Sequence, residues 1–384
     1  MNNNPGLGLE ELPKELKLIL ELLKENSLIT KGMFEGIDWD LFIRLAIHHR
    51  VYSTLFFKVK INELVPQQVV NRFAFEYKKN TFKMLYLSGE MEQVSKLFDQ
   101  NNLKLIHLKG PILAKELYGD VSLRTSSDLD VLVPISDLSK IDDLLIELGY
   151  EKDELVSVLN DWKWRHHHIA YFHPKKQIKL EVHWRLNPGP AKEPSFEELW
   201  KRKRTSLTTS NPVYYLGPED LFLFLVSHGA RHGWSRLRWL LDIHQILKQS
   251  LNWNKINHLM KKYQFMQVAD QSLLLCSRLF GTPLNGELKH RIQSKRSWEL
   301  ARLSVFYYER MVNLHSEPLP LDVANYHKRY LYSIKSFQHK LLFNLSFLYP
   351  YPMDMKLLKL PKYLHFLYFP LRPILWAFRK SMTD

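Results

Sequence analysis

The chain has 384 residues, 45% hydrophobic and 13% aromatic, with 54 Lys and Arg against 40 Asp and Glu. That composition excludes general disorder and supplies apolar surface for two or three domains. The net charge of +14 favours anionic partners (nucleotide, nucleic acid or anionic lipid) without choosing among them. The single cysteine, Cys276, excludes an intrachain disulfide and a cysteine-based zinc site. It lies in an apolar helical pattern, QSLLLCSRLF, and reads as a buried core thiol.

The amino-terminal stretch MNNNPGLGLEELPKELK is polar, with neither signal-peptide nor transit-peptide character. No run reaches the roughly 18 uncharged apolar residues that a membrane span requires. The expected location is cytoplasmic. Residues 9–26, 39–60 and 66–99 carry apolar residues at helical spacing. The second segment reads as one helix or two, and the third as one long helix or a pair. Residues 1–100 are therefore expected to be a helical lead-in that packs on the unit that follows. His48 and His49 are given no role.

The stretch LKLIHLKGPILAKELYGDVSLRTSSDLDVLVP, residues 103–134, alternates sharply in character. An apolar run ends at Lys109-Gly110, a helical segment spans 111–118, and Arg124 and two serines precede Asp128-Leu129-Asp130. The pattern predicts strand, glycine turn, helix, loop and strand. Strand alternation puts Asp128 and Asp130 on one face about 7 Å apart, a spacing at which two carboxylates can share hard divalent cations. A helix should follow, capped near Ser136 and stopped at Gly149. WRHHHIAYFHP reads as a strand into a turn, and QIKLEVHWRL as the next strand. Its alternation sets Lys179, Glu181, His183 and Arg185 on one face. If it pairs beside Asp128 and Asp130, Glu181 completes an acidic triad.

Residues 187–206, rich in Pro, Gly and charge, are the best candidate boundary, closing an α/β unit at 101–190. The basic run Lys201 to Arg204 is either a solvated surface or a contact to a nucleic-acid backbone. Gly217-Pro218-Glu219-Asp220 looks like a helix start, and 191–350 reads as a helical domain. Residues 351–384 form a basic, aromatic tail broken by Pro361, Pro370 and Pro373. It is either an amphipathic anchor on an anionic membrane or a segment folded back on the helices.

Taken in order, Lys109-Gly110, the helix with Tyr118, Arg124, Asp128-x-Asp130 and LEVHWRL at 180–186 resemble the polymerase-beta-type nucleotidyltransferase superfamily. More narrowly, they resemble the bacterial "uncharacterised nucleotidyltransferase" family and, more distantly, nucleotidyltransferase toxins. HGARHGWSRLRWLLDI at 228–243 resembles the helical part of the narrower family. The superfamily usually has Gly-Ser where this chain has Lys109-Gly110. The resemblance implies an α+β fold: a polymerase-beta-like core of a small mixed sheet with helices, flanked by N-terminal helices and a large C-terminal all-helical domain. It implies transfer of a nucleoside monophosphate from an NTP to an unknown acceptor, which is a small molecule, a sugar, an RNA end or a protein side chain. Mg²⁺ (or Mn²⁺) would be held by Asp128, Asp130 and Glu181. Lys109, Gly110, Arg124, Ser127, His183 and His232 would bind the nucleotide, with the helix carrying His228 and His232 closing one wall of the cleft. Each motif alone is common, since Asp-x-Asp is often a pair of solvated loop acids. A non-catalytic nucleotide- or partner-binding module on the same fold is the alternative, and a peripheral membrane role is compatible with both.

Overall fold

The computed structural model of the chain describes residues 6–154, 157–206, 211–316 and 318–381. The extreme ends of the expected lead-in and tail, residues 1–5 and 382–384, lie outside the described residues.

Four helices come first: α1 (Lys14–Leu23), α2 (Trp39–His48), α3 (Tyr52–Lys60) and α4 (Gln67–Gln100). The segment 39–60 is two helices. The chain breaks at Arg50, whose φ of 55° is left-handed, while Val51 N reaches back to Ala46 O at 3.0 Å. Glycine usually takes that position after a helix. The segment 66–99 is one continuous helix of 34 residues.

The α/β unit follows as β1 (Ile106–His107), α5 (Pro111–Tyr118), β2 (Asp128–Leu132), α6 (Leu138–Glu147), β3 (Glu151–Lys152), α7 (Trp162–Arg165), β4 (His168–His173) and β5 (Ile178–His183). The chain continues through α8 (Phe196–Arg202), β6 (Arg204–Ser206) and β7 (Val213–Tyr215). The seven strands form one mixed sheet in the order β3-β4-β5-β2-β1-β7-β6. The sheet therefore runs past the boundary expected at 190. β7 pairs parallel with β1, and Glu193 ties 185–187 back through Arg185 Nε at 3.0 Å and Asn187 N at 2.9 Å. Strands of three residues are too short to show alternation. Lys203 Nζ sits 3.9 Å over the Trp200 ring, and Arg204 lies over Tyr215. Arg202 pairs with Asp220 at 2.7 Å. Arg202, Lys203 and Arg204 thus have partners in the fold, while Lys201 and Arg204 are exposed.

The remaining helices are α9 (Pro218–Arg231), α10 (Leu237–Ile246), α11 (Trp253–Lys262), α12 (Met266–Phe280), α13 (Gly286–Arg291), α14 (Lys295–Glu309), α15 (Leu321–Ser333), α16 (Phe337–Ser346), α17 (Pro352–Leu357) and α18 (Tyr368–Ser381). α9 starts at Pro218, as expected. Cys276 is fully buried in α12, with Sγ 3.3 Å from Leu240 O. Among the described residues, no helix is long and apolar enough to cross a membrane.

Two large cores divide the molecule. One packs Leu129, Val131, Leu180 and Val182 of the sheet against α6 and the second half of α4, from Met84 to Phe98. The other joins α1, α2, α3 and the start of α4 to α9, α10 and α12. The lead-in is divided between the cores: the second half of α4 packs in the sheet core, while α1 to α3 pack with the helical domain and with Ile106, Leu117 and Leu132 of the α/β unit. The apolar stripe of α1 (Leu16, Ile19, Leu22, Leu23) packs into the same core as Leu273 and Leu274 of α12.

A buried ion pair joins the sheet unit to the helices. Asp242 of α10 accepts from Arg124 Nε at 2.9 Å, Arg124 NH2 at 3.0 Å and the Tyr118 hydroxyl at 2.8 Å. Arg124 and Asp242 are 2% and 0% exposed. Removing one partner leaves the other charge buried and unpaired, which costs about 3–5 kcal/mol. Asp242→Ala is therefore expected to lower unfolding free energy by that amount in denaturant titration. A loss under about 1 kcal/mol would mean that water already reaches the pair.

His244 supplies a pH dependence. The Thr282 hydroxyl donates to Cys276 O at 3.0 Å, so His244 Nδ1–H donates to Thr282 Oγ1 at 2.7 Å. Nε2 is buried without a partner, and burial, then Lys248, lowers the pKa to about 4. The unfolded chain takes up this proton first, so the contribution is fully present above pH ~6.5 and is lost as pH falls toward 4. Denaturation of wild type and His244→Gln between pH 7 and pH 4 should converge by at most about 3 kcal/mol. Parallel curves would show that this imidazole is not held neutral.

Candidate active site

β2 and β5 run parallel, with Asp128 beside Lys179, Asp130 beside Glu181 and Leu132 beside His183. Alternation buries Leu129 and Val131 in the sheet core, while Leu132 enters the helical core with Ile106. The face that carries Asp128 and Asp130 is thus the face turned toward the helices. Paired strands lie about 4.8 Å apart, so Glu181 arrives beside Asp130. Carboxylate oxygens of Asp130 and Glu181 and a ring nitrogen of His183 all lie within 4.8 Å of one another. Asp128 is not part of that tight group. It is half-buried at the mouth of β2.

Lys109 Nζ is 2.9 Å from Asp130 Oδ1, and His183 Nε2 is 3.2 Å from the same oxygen. Burial would raise the Asp130 pKa, but Lys109 and His183 hold it below the usual carboxylate value. Burial and the adjacent Asp130 raise that of Asp128. Two acids on one strand are thus driven apart by their surroundings. Glu181 Oε1 accepts from Lys179 Nζ at 2.8 Å. Its Oε2 lies 3.5 Å from His183 Nε2 and 3.8 Å from His168 Nε2. Against burial, these imidazoles hold Glu181 well below its ordinary value. Burial lowers the His183 pKa, but Asp130 and Glu181 outweigh it and raise it.

Asp130 Oδ2 is fully buried and has no hydrogen-bond partner. It is the free donor atom in the cluster. His183 Nδ1 also lacks a partner, whereas an imidazole that ligates a metal normally donates its other N–H to an acceptor. His183 is better matched to donating to Asp130 than to holding a cation. Ring nitrogens of His167, His168 and His183 form a second group within 4.8 Å, but Arg231 NH1 donates to His167 Nε2 at 3.0 Å. A cation there would face a guanidinium.

The other wall comes from α9, α10 and the α2–α3 break. Arg231 NH2 also donates to His228 Nδ1, at 3.1 Å. Arg231 thus rests on two neutral imidazoles with no carboxylate of the described residues bonded to it, and burial pulls its pKa down to about 10. Arg238 NH1 donates to Thr125 O, its Nε is buried without a partner, and burial lowers its pKa to about 9. Arg236 donates to His48 O at 3.0 Å and Asn313 Oδ1 at 2.9 Å. Arg50 is half-buried, and its side chain makes no hydrogen bond or ion pair with the described residues. Burial lowers its pKa, and its leading charge partner is Asp128. A bulky residue at positive φ is uncommon.

The expected site residues divide accordingly. Lys109, Asp130, Glu181 and His183 converge, with Asp128 at their edge. Gly110 has φ 84° and ψ −148°, open essentially to glycine alone, and a Cβ there would meet Leu129 Cδ2 at 3.4 Å. Arg124 does not converge, because its guanidinium is held by Asp242. Ser127 is exposed, and it is Ser126 whose hydroxyl donates to Asp128 O at 3.1 Å. His232 lies on the α9 wall, its ring 4.9 Å from Trp239 and 5.5 Å from His315. Sequence reasoning missed Arg50, Arg238 and Asp242. The segment 39–60 read as one helix or two with no break located, and the pairing of Asp242 with Arg124, 118 positions away, left no mark in the sequence.

No curated protein matches the chain. A solved structure with some likeness is an antigenic nucleotidyltransferase-like protein from Paracoccidioides brasiliensis. It is 15% identical, the match covers 51% of this chain and 96% of that one, and the TM-score is 0.30, too low to carry an argument. The family described as "Uncharacterised nucleotidyltransferase" matches residues 35–281, which take in the acid cluster, the α9 wall and Asp242, and the chain belongs to that family.

Proposed function

We propose that the chain transfers a nucleoside monophosphate from an NTP to an acceptor hydroxyl, with Asp128, Asp130 and Glu181 holding Mg²⁺ or Mn²⁺. The observation that carries this reading is the in-register pairing of β2 with β5, which sets Glu181 beside Asp130 on the face that bears Asp128. The donor set fits such ions: hard carboxylate oxygens, one of them the unpartnered Oδ2 of Asp130. Bound divalent cations would acidify the acceptor hydroxyl and neutralise the leaving phosphates.

The chain's own groups have separate tasks in this reading. Lys109 and His183 keep Asp130 ionised and oriented. Gly110 lets the backbone approach a phosphate at the start of α5. Arg231, Arg236 and Arg238, bonded to neutral acceptors only, keep full charge for phosphate oxygens. Glu181 would complete the ligand set of the cation that activates the acceptor hydroxyl. The acceptor is a small molecule, a sugar, an RNA end or a protein side chain.

Incubation with each α-labelled NTP, Mg²⁺ or Mn²⁺ and cell extract should transfer label to an acceptor. The double variant Asp128→Ala, Asp130→Ala should reduce transfer to background. Nucleotide binding without turnover by the wild-type chain would instead favour a non-catalytic binding module. In calorimetric titration with Mn²⁺, His183→Ala is expected to weaken binding about tenfold, as the loss of a ligand's hydrogen-bond partner does, and Asp130→Asn by more. Unchanged affinity in Asp130→Asn would remove that carboxylate from the ligand set.

A further inference from the structure

The last helices turn their apolar side to water. On α16, Phe337, Leu341 and Leu345 recur four apart, with Leu348 just beyond, and are 82%, 52%, 52% and 59% exposed. On α18 the buried positions are Tyr368 and Arg372, and every exposed residue from Phe369 to Phe378 is apolar. A surface helix of a globular domain shows the opposite arrangement. Half of the large hydrophobic side chains that the described residues expose lie between Phe337 and Phe378. Contiguous exposure on this scale marks an interaction surface.

Charge selects the partner. From Val323 to Lys380 the chain has ten Lys and Arg and one acid, Asp354. That acid is fully buried, accepting from Arg372 NH1 and Tyr351 N, both at 2.7 Å. Lys356, Lys359 and Lys362, between the two helices, are exposed and form no ion pair with the described residues. A second copy would bring like charge against like charge, and a nucleic-acid backbone offers nothing to aliphatic stripes. An anionic lipid interface takes both the apolar side chains and the lysines.

We propose that α16, α17 and α18 seat the chain on an anionic bilayer, lying in the interface plane. They do not cross it: α18 runs on through Pro370 and Pro373, where the sequence pattern suggested breaks, but no described helix is long and apolar enough to span a bilayer. The seat is tied to the α/β unit just ahead of His167. The Arg165 guanidinium lies 3.8 Å over the Tyr351 ring and donates to Pro350 O at 3.3 Å. The surface goes beyond the proposed chemistry and does not rest on it.

The test is co-flotation of the full chain with vesicles of phosphatidylcholine alone or mixed with phosphatidylserine. Flotation should require phosphatidylserine and weaken with salt. Replacing Lys356, Lys359 and Lys362 by Ala should weaken partitioning about fivefold per lysine. Leu345→Glu with Ile374→Glu should abolish flotation while circular dichroism is unchanged. Three results would each overturn the proposal. One is no flotation with phosphatidylserine vesicles. Another is flotation indifferent to both sets of substitutions. The third is a solution dimer, or capture of an acidic protein, that the substitutions disrupt while vesicle binding persists.

Discussion

The buried contact of Asp242 with Arg124 and Tyr118 fixes the geometry on which the cleft depends. β2 carries the acids and the first turn of α10 carries Arg238; Leu129 and Val131 of β2 pack in the sheet core, while only Leu132 reaches the core that α10 belongs to. Apolar packing is non-directional and leaves the angle between such units soft. A bidentate guanidinium–carboxylate pair is directional and, once dry, is held strongly. It sets the arginine wall opposite the acidic strand face. Tyr118 and Arg124, of which the resemblance assigns Arg124 to nucleotide binding, both bond Asp242.

Within the cleft, opposite charges are treated differently. The acids Asp130 and Glu181 are neutralised by Lys109, Lys179 and His183. Arg231 and Arg236 rest on imidazoles, a carbonyl and an amide. The acidic side is therefore balanced internally and the basic wall is not. That asymmetry suits a polyphosphate arriving with its own cations, because the wall's charge needs no rearrangement to meet it. The imidazoles beneath Arg231 are neutral because burial and the guanidinium itself suppress their protonation.

What the sequence revealed was local. Alternation and the Asp-x-Asp spacing located β2, and LEVHWRL located β5 with Glu181 on its outward face. Their adjacency was inferred only as a condition, since strand order is not written in either segment. The partner of Arg124 escaped for the same reason: a lone arginine before an acidic strand looks alike whether it meets a phosphate or a carboxylate from a distant helix. β6 and β7 fell below the length at which period two can be seen. Arg50 escaped because its importance lies in a backbone turn, not in a residue pattern. The apolar tail was legible as composition, but which side of α18 faces water required coordinates.

The 34-residue α4 has a consequence for how the molecule comes apart. Its first turns, with Val69 and Phe73, belong to one core and its last, from Met84 to Phe98, to the other. Helical hydrogen bonding is cooperative along its length, so fraying one half strips support from the other. The two cores are yoked mechanically as well as electrostatically. A cut anywhere within 67–100 would leave two fragments, each with half a helix's worth of greasy surface and no lid for it.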